Sequence, residues 1–397
     1  QYLYGDLTAD DARKLFGDQV CEYITKKNVC MPTPAAQLWI AEMNAGMRNG
    51  HCEGMAALSL LLFTGREKPT GYGGAQASDL DPANASLLRE VATYWTMQTL
   101  EPVLTQSFAS QQKTPTEILQ TIIAGMRTSS EVYTLGVYGK TGGHAITPYA
   151  VEDIGNGKFW IHVYDNNYPG AGKYVAIDTT TNTWKYAGAA LNPQEDAAPW
   201  EGSAGTLDLT PLSVRQKTLK CPFCGTTDSC QKPGDLMLVV EGKGSAARAK
   251  GSLLPQMKIE NGKVINAIPG AIITRMKGSA ARTKGSARRS SDRGTLMVLP
   301  PDQEYTVSVV GESNTEPEPA SVAGFRGCAA FAIDGLILNP GQEDQLVISA
   351  DGQGFSFIPG GKQSPTLTIG ITSPAGRDGV YVLSNLPLGK GYPFTLF

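Results

Sequence analysis

The chain has 397 residues, of which 41% are hydrophobic and 18% are charged, and its formal net charge is −3 at pH 7. This composition is typical of a globular protein, and the length predicts two or three domains. The longest apolar run, residues 55–63, is far shorter than the roughly 20 residues of a membrane-spanning helix, so no membrane span is expected.

The sequence starts at Gln1 rather than Met, and no basic segment with an apolar core precedes it. We therefore expect an extracellular or cell-surface protein that is secreted and has lost its signal peptide, although an arbitrary sequence boundary would look the same. Secretion would also permit disulfide bonds.

Helical signals dominate the first part of the chain. Residues 8–11 and 114–117 resemble capping boxes, in which a threonine and an acidic residue three positions later satisfy free backbone N–H groups. Residues 34–47 and 86–104 carry apolar side chains at helical spacing. A series of helices is therefore predicted here.

The period changes near residue 133. Four segments between residues 133 and 177 are predicted to be strands, and Asn156-Gly157 predicts a tight hairpin turn between the second and the third. Helices followed by antiparallel strands are typical of an α+β fold. We assign residues 1–205 to this α+β domain.

A linker that contains cysteines follows over residues 206–234, and the sequence beyond it has almost no helical period. Short β-rich runs recur there between glycine and proline turns. The pattern predicts an all-β region built as one β-sandwich or as two small ones. We divide it into residues 235–312, which hold basic repeats, and residues 313–397.

Lysine and arginine concentrate over residues 243–293. Lys243-Gly-Ser-Ala-Ala-Arg recurs as Lys277-Gly-Ser-Ala-Ala-Arg, and the segment holds twelve basic residues against two acidic ones. It is a candidate site for an anionic polymer, because clustered cations neutralise anionic groups. It has no aromatic side chain on which bases could stack, which disfavours nucleic acid. The alternatives are solvated loops or pairing with the acidic remainder of the chain.

The seven cysteines are an odd number, which leaves one thiol over if the others form disulfides. If Cys52 is that thiol, Cys21 and Cys30 are close enough in sequence to bridge locally. The other four could form two disulfides or a four-thiolate zinc site. These four are Cys221, Cys224, Cys230 and Cys328. Disulfides are favoured, because zinc sites usually pair two Cys-x-x-Cys hooks and only one is present.

Cys52 lies at the predicted start of a buried helix. It stands in Gly-His-Cys-Glu-Gly-Met, and the apolar run of residues 56–63 follows directly. A helix N terminus and a nearby imidazolium both favour the nucleophilic thiolate form of a cysteine. His144, which follows two glycines, and then Asp165 complete the set of nucleophile, base and orienting group.

The predicted hairpin places the base and its orienting group on one face. A two-residue turn sets Pro148 opposite Asp165, and side chains alternate between the faces along each strand. His144, Asp165 and Asn167 then share a face, whereas His162 points away. Asp165 is the preferred orienting residue and Asn167 the second, although a bulge at Pro148 would change this parity.

The motifs Gly-His-Cys-Glu-Gly-Met, Gly-Gly-His-Ala-Ile and Val-Tyr-Asp-Asn-Asn-Tyr-Pro-Gly resemble those of papain-like cysteine peptidases, in particular uncharacterised secreted bacterial members. The resemblance covers residues 1–205. It implies a helical lobe with Cys52, an antiparallel sheet lobe with His144 and Asp165, and a cleft between them. Cys52 would then be the nucleophile, His144 the base and Asp165 the orienting residue.

The chain departs from the family six residues before the cysteine. The family usually has a glutamine there that helps to bind the oxyanion, and this chain has Gly46. Asn44, Asn49 and His51 are candidate substitutes. Loss of one oxyanion donor lowers a rate by about 10²–10³-fold, so the domain could be slow or inactive.

Three functions follow from these observations. The first is a secreted cysteine peptidase that forms an acyl-enzyme on a peptide or protein substrate, which water or an amine then resolves. The second is a weak or inactive peptidase-like domain in an extracellular structural, fibre-forming or adhesive protein that self-assembles. The third is a polyanion-binding surface protein. No nucleotide or calcium loop occurs, so no cofactor is expected.

Overall fold

A computed structural model describes residues 7–48, 50–139, 142–225, 234–242, 245–251, 256–260, 263–278, 294–311, 315–350, 354–372 and 378–396. The α-helices in this part of the chain are α1 Ala9–Phe16, α2 Pro34–Met47, α3 Cys52–Phe63, α4 Ala85–Thr96, α5 Val103–Gln111 and α6 Pro115–Thr128. Short 3₁₀ helices cover Asp18–Val20, Pro69–Tyr72, Ala77–Asp79, Met97–Thr99 and Ser213–Gln216.

Side-chain caps set the start of two helices, as the sequence predicts. At α1, the Thr8 hydroxyl accepts a hydrogen bond from the Asp11 N–H, and the Asp11 carboxylate accepts one from the Thr8 N–H. Thr114 and Glu117 form the same capping box at α6. Each box satisfies two N–H groups that have no partner within the helix.

Helices α3 and α4 approach each other closely at Gly54. A Cβ atom on Gly54 would lie 2.0 Å from the Val91 carbonyl oxygen, so no larger residue fits. This contact fixes the first turn of α3 against α4. The role of Gly54 is therefore close helix packing.

A small hairpin joins α1 to α2. It consists of β1 Cys21–Ile24 and β2 Cys30–Pro32, and the predicted disulfide between Cys21 and Cys30 crosses it. Thr33 then caps α2 through a hydrogen bond from the Ala36 N–H. The disulfide and the cap together fix the entry to α2.

An antiparallel sheet follows the helices, in the strand order β8-β7-β6-β5-β4-β3-β9. Its strands are β3 Tyr133–Gly139, β4 Gly142–Gly155, β5 Lys158–Tyr164, β6 Lys173–Asp178, β7 Thr183–Tyr186, β8 Trp200–Gly202 and β9 Leu207–Pro211. Ile118 and Ile122 of α6 share a buried apolar cluster with Leu135, Ile161 and Leu209 of this sheet. We call this sheet with α6 the sheet lobe.

The last strand of the sheet lobe lies beyond the predicted domain end at residue 205. Strand β9 pairs with β3, so that Leu209 stands opposite Leu135. The predicted linker over residues 206–234 therefore begins inside the sheet. Its pairing partner is about 70 residues earlier in the chain, and local sequence carries no sign of such a contact.

The hairpin of β4 and β5 contains two register shifts. One lies between Asp153 and Gly155 and the other between Pro148 and Ala150. Pro148 therefore stands opposite Val163 rather than opposite Asp165 as predicted. Each shift changes the register by one residue, and the two together leave the predicted faces unchanged.

The rest of the described chain is all-β. Its strands are β10 Leu236–Gly242, β11 Ser245–Gly251, β12 Gln256–Glu260, β13 Lys263–Asn266, β14 Ile272–Arg275, β15 Thr295–Leu299, β16 Tyr305–Gly311, β17 Glu318–Arg326, β18 Ala329–Leu338, β19 Glu343–Ile348, β20 Phe355–Ile358, β21 Thr366–Ile371, β22 Gly379–Leu383 and β23 Phe394–Leu396. They form two seven-stranded sheets, in the orders β14-β15-β10-β17-β18-β21-β22 and β13-β12-β11-β16-β19-β20-β23.

These two sheets form one sandwich rather than two domains. Leu238 of the first sheet belongs to the same buried cluster as Val307 and Phe357 of the second. Both sheets draw strands from before and after residue 312, so the predicted division there cuts through both. We call the described residues from 235 onward the sandwich.

The helices pack directly against the sandwich. Trp39 of α2 shares a buried cluster with Met237 of β10 and Phe325 of β17. At Gly370 of β21, a Cβ atom would lie 2.8 Å from the Pro34 carbonyl oxygen. One apolar core therefore runs from the helices into the sandwich.

Three of the four cysteines of the zinc alternative are disulfide-bonded. Cys221 and Cys224 form a disulfide with each other, and Cys328 is disulfide-bonded as well. Cys230 lies outside the described residues. A disulfide sulfur is not a thiolate ligand, and no cluster of metal-binding side chains occurs among the residues that the structure describes.

Helices and several antiparallel sheets are both present, so the chain is a mixed, β-rich protein. None of the helices described is both long and apolar enough to cross a membrane.

Candidate active site

Cys52 is the first residue of α3 and is fully buried. Gly50, with a φ of 124°, turns the chain away from the preceding segment, and His51 occupies the N-cap position. The Cys52 sulfur accepts a hydrogen bond from the Ala145 N–H at 3.4 Å. Strand β4 therefore contacts the helix start directly, as the sequence predicts for the nucleophile and the base.

His144 lies beside this contact on β4, where it pairs with Val137 of β3. Its side chain is almost completely buried. The Nε2 atom lies 2.9 Å from Oδ1 of Asp165, within hydrogen-bond distance. The structure thus brings together the three residues Cys52, His144 and Asp165 that were predicted as a catalytic group.

Asp165 follows directly after β5 and is held by several donors besides His144. The Tyr186 hydroxyl donates to its Oδ2 atom, and the Asn167 N–H donates to Oδ1 at 2.9 Å. Burial alone would raise the pKa of Asp165, but these hydrogen bonds and His144 hold it well below its usual value. Asp165 is therefore a carboxylate at neutral pH.

The charge of His144 follows from the same contact. Burial alone would lower its pKa, but the hydrogen bond to Asp165 and the nearby Cys52 thiol raise it to about 10. His144 is thus an imidazolium at neutral pH, paired with a carboxylate. Its Nδ1 atom is buried and makes no conventional hydrogen bond within the described residues, which leaves this atom for the thiol or a reactant.

Lys173 on β6 is a further supporting group, which was not predicted from the sequence. Its ammonium is fully buried, lies 3.4 Å from Oδ2 of Asp165 and donates to the Ala187 carbonyl oxygen at 2.7 Å. It also lies 3.8 Å from the centre of the Tyr168 ring, a cation–π distance. Side chains of β6 alternate between buried and partly buried positions, and Lys173 lies on the same buried face as Val175. The two-residue period of a strand could therefore have predicted that Lys173 is buried.

The proposed oxyanion donors have different surroundings. The amide of Asn44 is engaged by Leu7, whose N–H and carbonyl oxygen lie 2.7 and 3.1 Å away, so an oxyanion role has no support. Asn49 lies outside the described residues. His51 precedes Cys52 at the cap, and Asn167 supports Asp165 through its backbone.

Gly46 leaves no room for the glutamine of the family. A Cβ atom at this position would lie 2.9 Å from Glu241 Oε1, 2.9 Å from Trp95 Cη2 and 3.6 Å from Met276 Cε. Trp95 belongs to α4, whereas Glu241 and Met276 belong to the sandwich. The space that a longer side chain would need is therefore filled by other parts of the chain.

The basic segment over residues 243–293 is only partly described. Strand β11 of the first repeat pairs on both sides inside a sheet, and Arg248 and Lys250 are exposed there. Arg275 and Lys277 are buried instead. The second repeat beyond residue 278 lies outside the described residues.

His162 lies on the other face of the hairpin, as predicted. Its Nε2 atom is 2.9 Å from Oε2 of Glu152, and the side chain is partly exposed. Substitution of His162 is therefore a suitable control for substitution of His144.

Comparisons with protein-family models, with curated proteins and with solved structures found no match for this chain.

Proposed function

We propose that the protein is a secreted cysteine peptidase of papain-like type, in which Cys52, His144 and Asp165 form the catalytic triad. Cys52 is the nucleophile, His144 moves the proton and Asp165 orients His144. The single observation that carries the proposal is that strand β4 contacts the Cys52 sulfur through the Ala145 N–H, while the adjacent His144 lies within hydrogen-bond distance of Asp165. Disulfides in the structure are compatible with secretion.

The charges of the site support a defined sequence of steps. The Cys52 thiolate attacks the carbonyl carbon of a peptide bond, and the imidazolium of His144 gives its proton to the departing amine as the C–N bond breaks. Neutral His144 then takes a proton from water, which attacks the thioester. The thiolate leaves, and a carboxylic acid is released. An amine in place of water would give transpeptidation by the same steps.

Burial supports a second candidate function. Cys52 is fully buried and His144 is 5% exposed, so a substrate cannot reach the thiol in this conformation. A catalytically silent domain in an extracellular structural or self-assembling protein would need no such access. The polyanion proposal has less support, because Arg275 and Lys277 of the basic segment are buried.

Labelling of the thiol distinguishes these functions. We would treat the protein with a peptide that carries a thiol-directed electrophile and locate the adduct by mass spectrometry. A peptidase is expected to be labelled at Cys52, and His144→Ala is expected to slow labelling at least about 100-fold, the lower end of the usual contribution of a general acid or base.

The matched control is His162→Ala, because His162 also pairs with a carboxylate but lies on the opposite face. It should label at the rate of the unaltered protein. Equal rates for His144→Ala and the unaltered protein would contradict the catalytic proposal and favour the structural one.

A further inference from the structure

A segment of the sandwich lies between the helices and the sheet lobe, where it contacts Glu53 and Gly143. It comprises Arg275, the last residue of strand β14, with Met276 and Lys277, which follow it, and we call it the cleft segment. All three side chains are buried. Its neighbours are the residues that flank Cys52 and His144 in the sequence.

The backbone of Lys277 is bound as an extended peptide would be. Its N–H donates to Gln98 Oε1 at 2.7 Å, and its carbonyl oxygen accepts from Trp95 Nε1 at 2.9 Å. Lys277 also forms a parallel β-bridge with Gly143, the residue before His144. Helix-side and sheet-side groups therefore both hold the same residue.

The side chain of Lys277 enters an acidic socket formed by Glu53 and Asp208. Its Nζ atom lies 3.4 Å from Glu53 Oε2 and 3.2 Å from Asp208 Oδ2. Glu53 follows Cys52 in α3, and Asp208 belongs to β9, where it also accepts a hydrogen bond from Tyr138. Both carboxylates are fully buried.

The charge balance of the socket depends on Lys277. Arg215 pairs with Glu53, so two cations face two carboxylates. Burial alone would lower the pKa of Lys277, but Asp208 and Glu53 raise it, so the ammonium form is retained. Without Lys277 the socket would hold one uncompensated buried negative charge, which strongly favours another cation in its place.

The other two residues of the segment contact the sheet lobe and helix α2. Arg275 donates to the Gly139 carbonyl oxygen of β3 at 2.6 Å. Met276 lies against Gly46, at the position where the family has its glutamine. The cleft segment thus spans from the sheet lobe to the helix that precedes Cys52.

We propose that the cleft segment is an intramolecular pseudosubstrate, and that Glu53 and Asp208 form the subsite for the lysine side chain of an extended peptide. This inference rests on the proposed peptidase function. The chain's own Lys277 occupies the subsite and keeps the cleft closed. Substrates with lysine at the matching position bind when the segment is displaced.

The first experiment compares labelling rates of Cys52 by the peptide electrophile. Lys277→Ala is expected to increase the rate at least 10-fold, because the segment loses its charge contacts. Lys250→Ala, which removes an exposed lysine of the first repeat, is the matched control and should leave the rate unchanged. Thermal unfolding would establish that each variant is folded.

A second variant tests the pseudosubstrate proposal if Lys277→Ala does not fold. Trp95→Phe removes the hydrogen bond to the Lys277 carbonyl oxygen but keeps an aromatic ring in place. It should also increase the labelling rate, several-fold. Labelling at the unaltered rate in a folded variant would overturn the pseudosubstrate proposal.

The second experiment measures binding without using the thiol. A fluorescent peptide with the sequence Thr-Arg-Met-Lys-Gly-Ser, that of residues 274–279, should bind folded Lys277→Ala or Trp95→Phe, measured by anisotropy, and not the unaltered protein. Replacing its lysine by norleucine should weaken binding at least 10-fold. Equal binding of the two peptides, or no binding, would overturn the lysine subsite.

The two proposals fail in distinguishable ways. If labelling depends on His144 but not on Lys277 or Trp95, the peptidase proposal stands and the pseudosubstrate proposal falls. If the peptide binds with lysine selectivity but Cys52 is never labelled, the subsite stands as a lysine-peptide site and the catalytic proposal falls.

Discussion

The ammonium of Lys173 and the carboxylate of Asp165 lie 3.4 Å apart, and both are almost completely buried. Asp165 therefore has cationic partners on both oxygen atoms, with His144 on Oδ1 and Lys173 on Oδ2. A carboxylate held on both sides cannot rotate away from the imidazole. Lys173 acts on the candidate triad through Asp165, as a positioning residue.

Replacing this lysine should impair both stability and reactivity. We expect Lys173→Met to lower the free energy of unfolding by about 3–5 kcal/mol, because it breaks a buried ion pair. Labelling of Cys52 should slow by up to about 100-fold as His144 loses its alignment. Urea unfolding and labelling kinetics measure the two effects.

The neighbouring strand offers a control for Lys173→Met. Lys185 of β7 is 57% exposed and pairs with Glu201 at the surface. Lys185→Met should change the unfolding free energy by no more than about 1 kcal/mol and leave labelling unaltered. Similar losses in both variants would argue against a specific role for Lys173.

Stability should depend on pH through the pair of His144 and Asp165. The pKa of Asp165 is lowered on folding, so its contribution is present above about pH 3.9, the pKa of an unfolded aspartate, and is lost as the pH falls. The pKa of His144 is raised to about 10, so its contribution is complete below about pH 6.5 and is lost as the pH rises toward about 10.

A comparison with His144→Gln isolates the histidine. The difference in unfolding free energy between the unaltered protein and this variant should shrink by at least about 1 kcal/mol from about pH 6.5 to about pH 8.5, since one pKa unit corresponds to about 1.4 kcal/mol. A constant difference over this range would contradict a raised pKa for His144.

The lack of space for a side chain at Gly46 leads to a third prediction. We expect Gly46→Ala to lower the unfolding free energy by about 1–3 kcal/mol, because its Cβ atom would meet Trp95 and Glu241 at 2.9 Å. At Gly71 a Cβ atom would meet no atom within 4 Å. Gly71→Ala should therefore stay within about 0.5 kcal/mol of the unaltered protein in thermal unfolding.

The disulfide of the first hairpin should stabilise the protein measurably. Cys21 and Cys30 are separated by 9 residues, and closing such a loop contributes about 2–3 kcal/mol by chain entropy. The double variant Cys21→Ser, Cys30→Ser should lose about this much in urea unfolding. The separation of Cys221 and Cys224 is only 3 residues, so the corresponding double variant should lose less.

The faces of the β4–β5 hairpin could be predicted because side chains alternate with a period of two. His144 and Asp165 meet as expected, and His162 lies away from them. The pairing itself differs, since Pro148 stands opposite Val163. Bulges depend on how the sheet bends around its core, which local sequence does not encode. The predicted faces are correct because the two register shifts together move the pairing by two residues, which restores the alternation of side chains.

Contacts over long sequence distances could not be predicted. The order of strands in the sandwich and the pairing of β9 with β3 depend on which apolar faces meet in three dimensions. The burial of Lys277 could not be predicted either, because the composition of its repeat is typical of a solvated basic segment. Its burial follows from Glu53 and Asp208, which lie 224 and 69 residues away in the sequence.

The apolar core shared by Trp39, Met237 and Phe325 has a consequence for how the chain responds to proteolysis. Cutting the backbone between β9 and β10 would not release the sandwich from the preceding part of the chain, because buried side chains of the helices and of the sandwich hold the two parts together. A nicked protein would remain a non-covalent complex and would elute as one species under native conditions. Separation would require a denaturant as well as a protease.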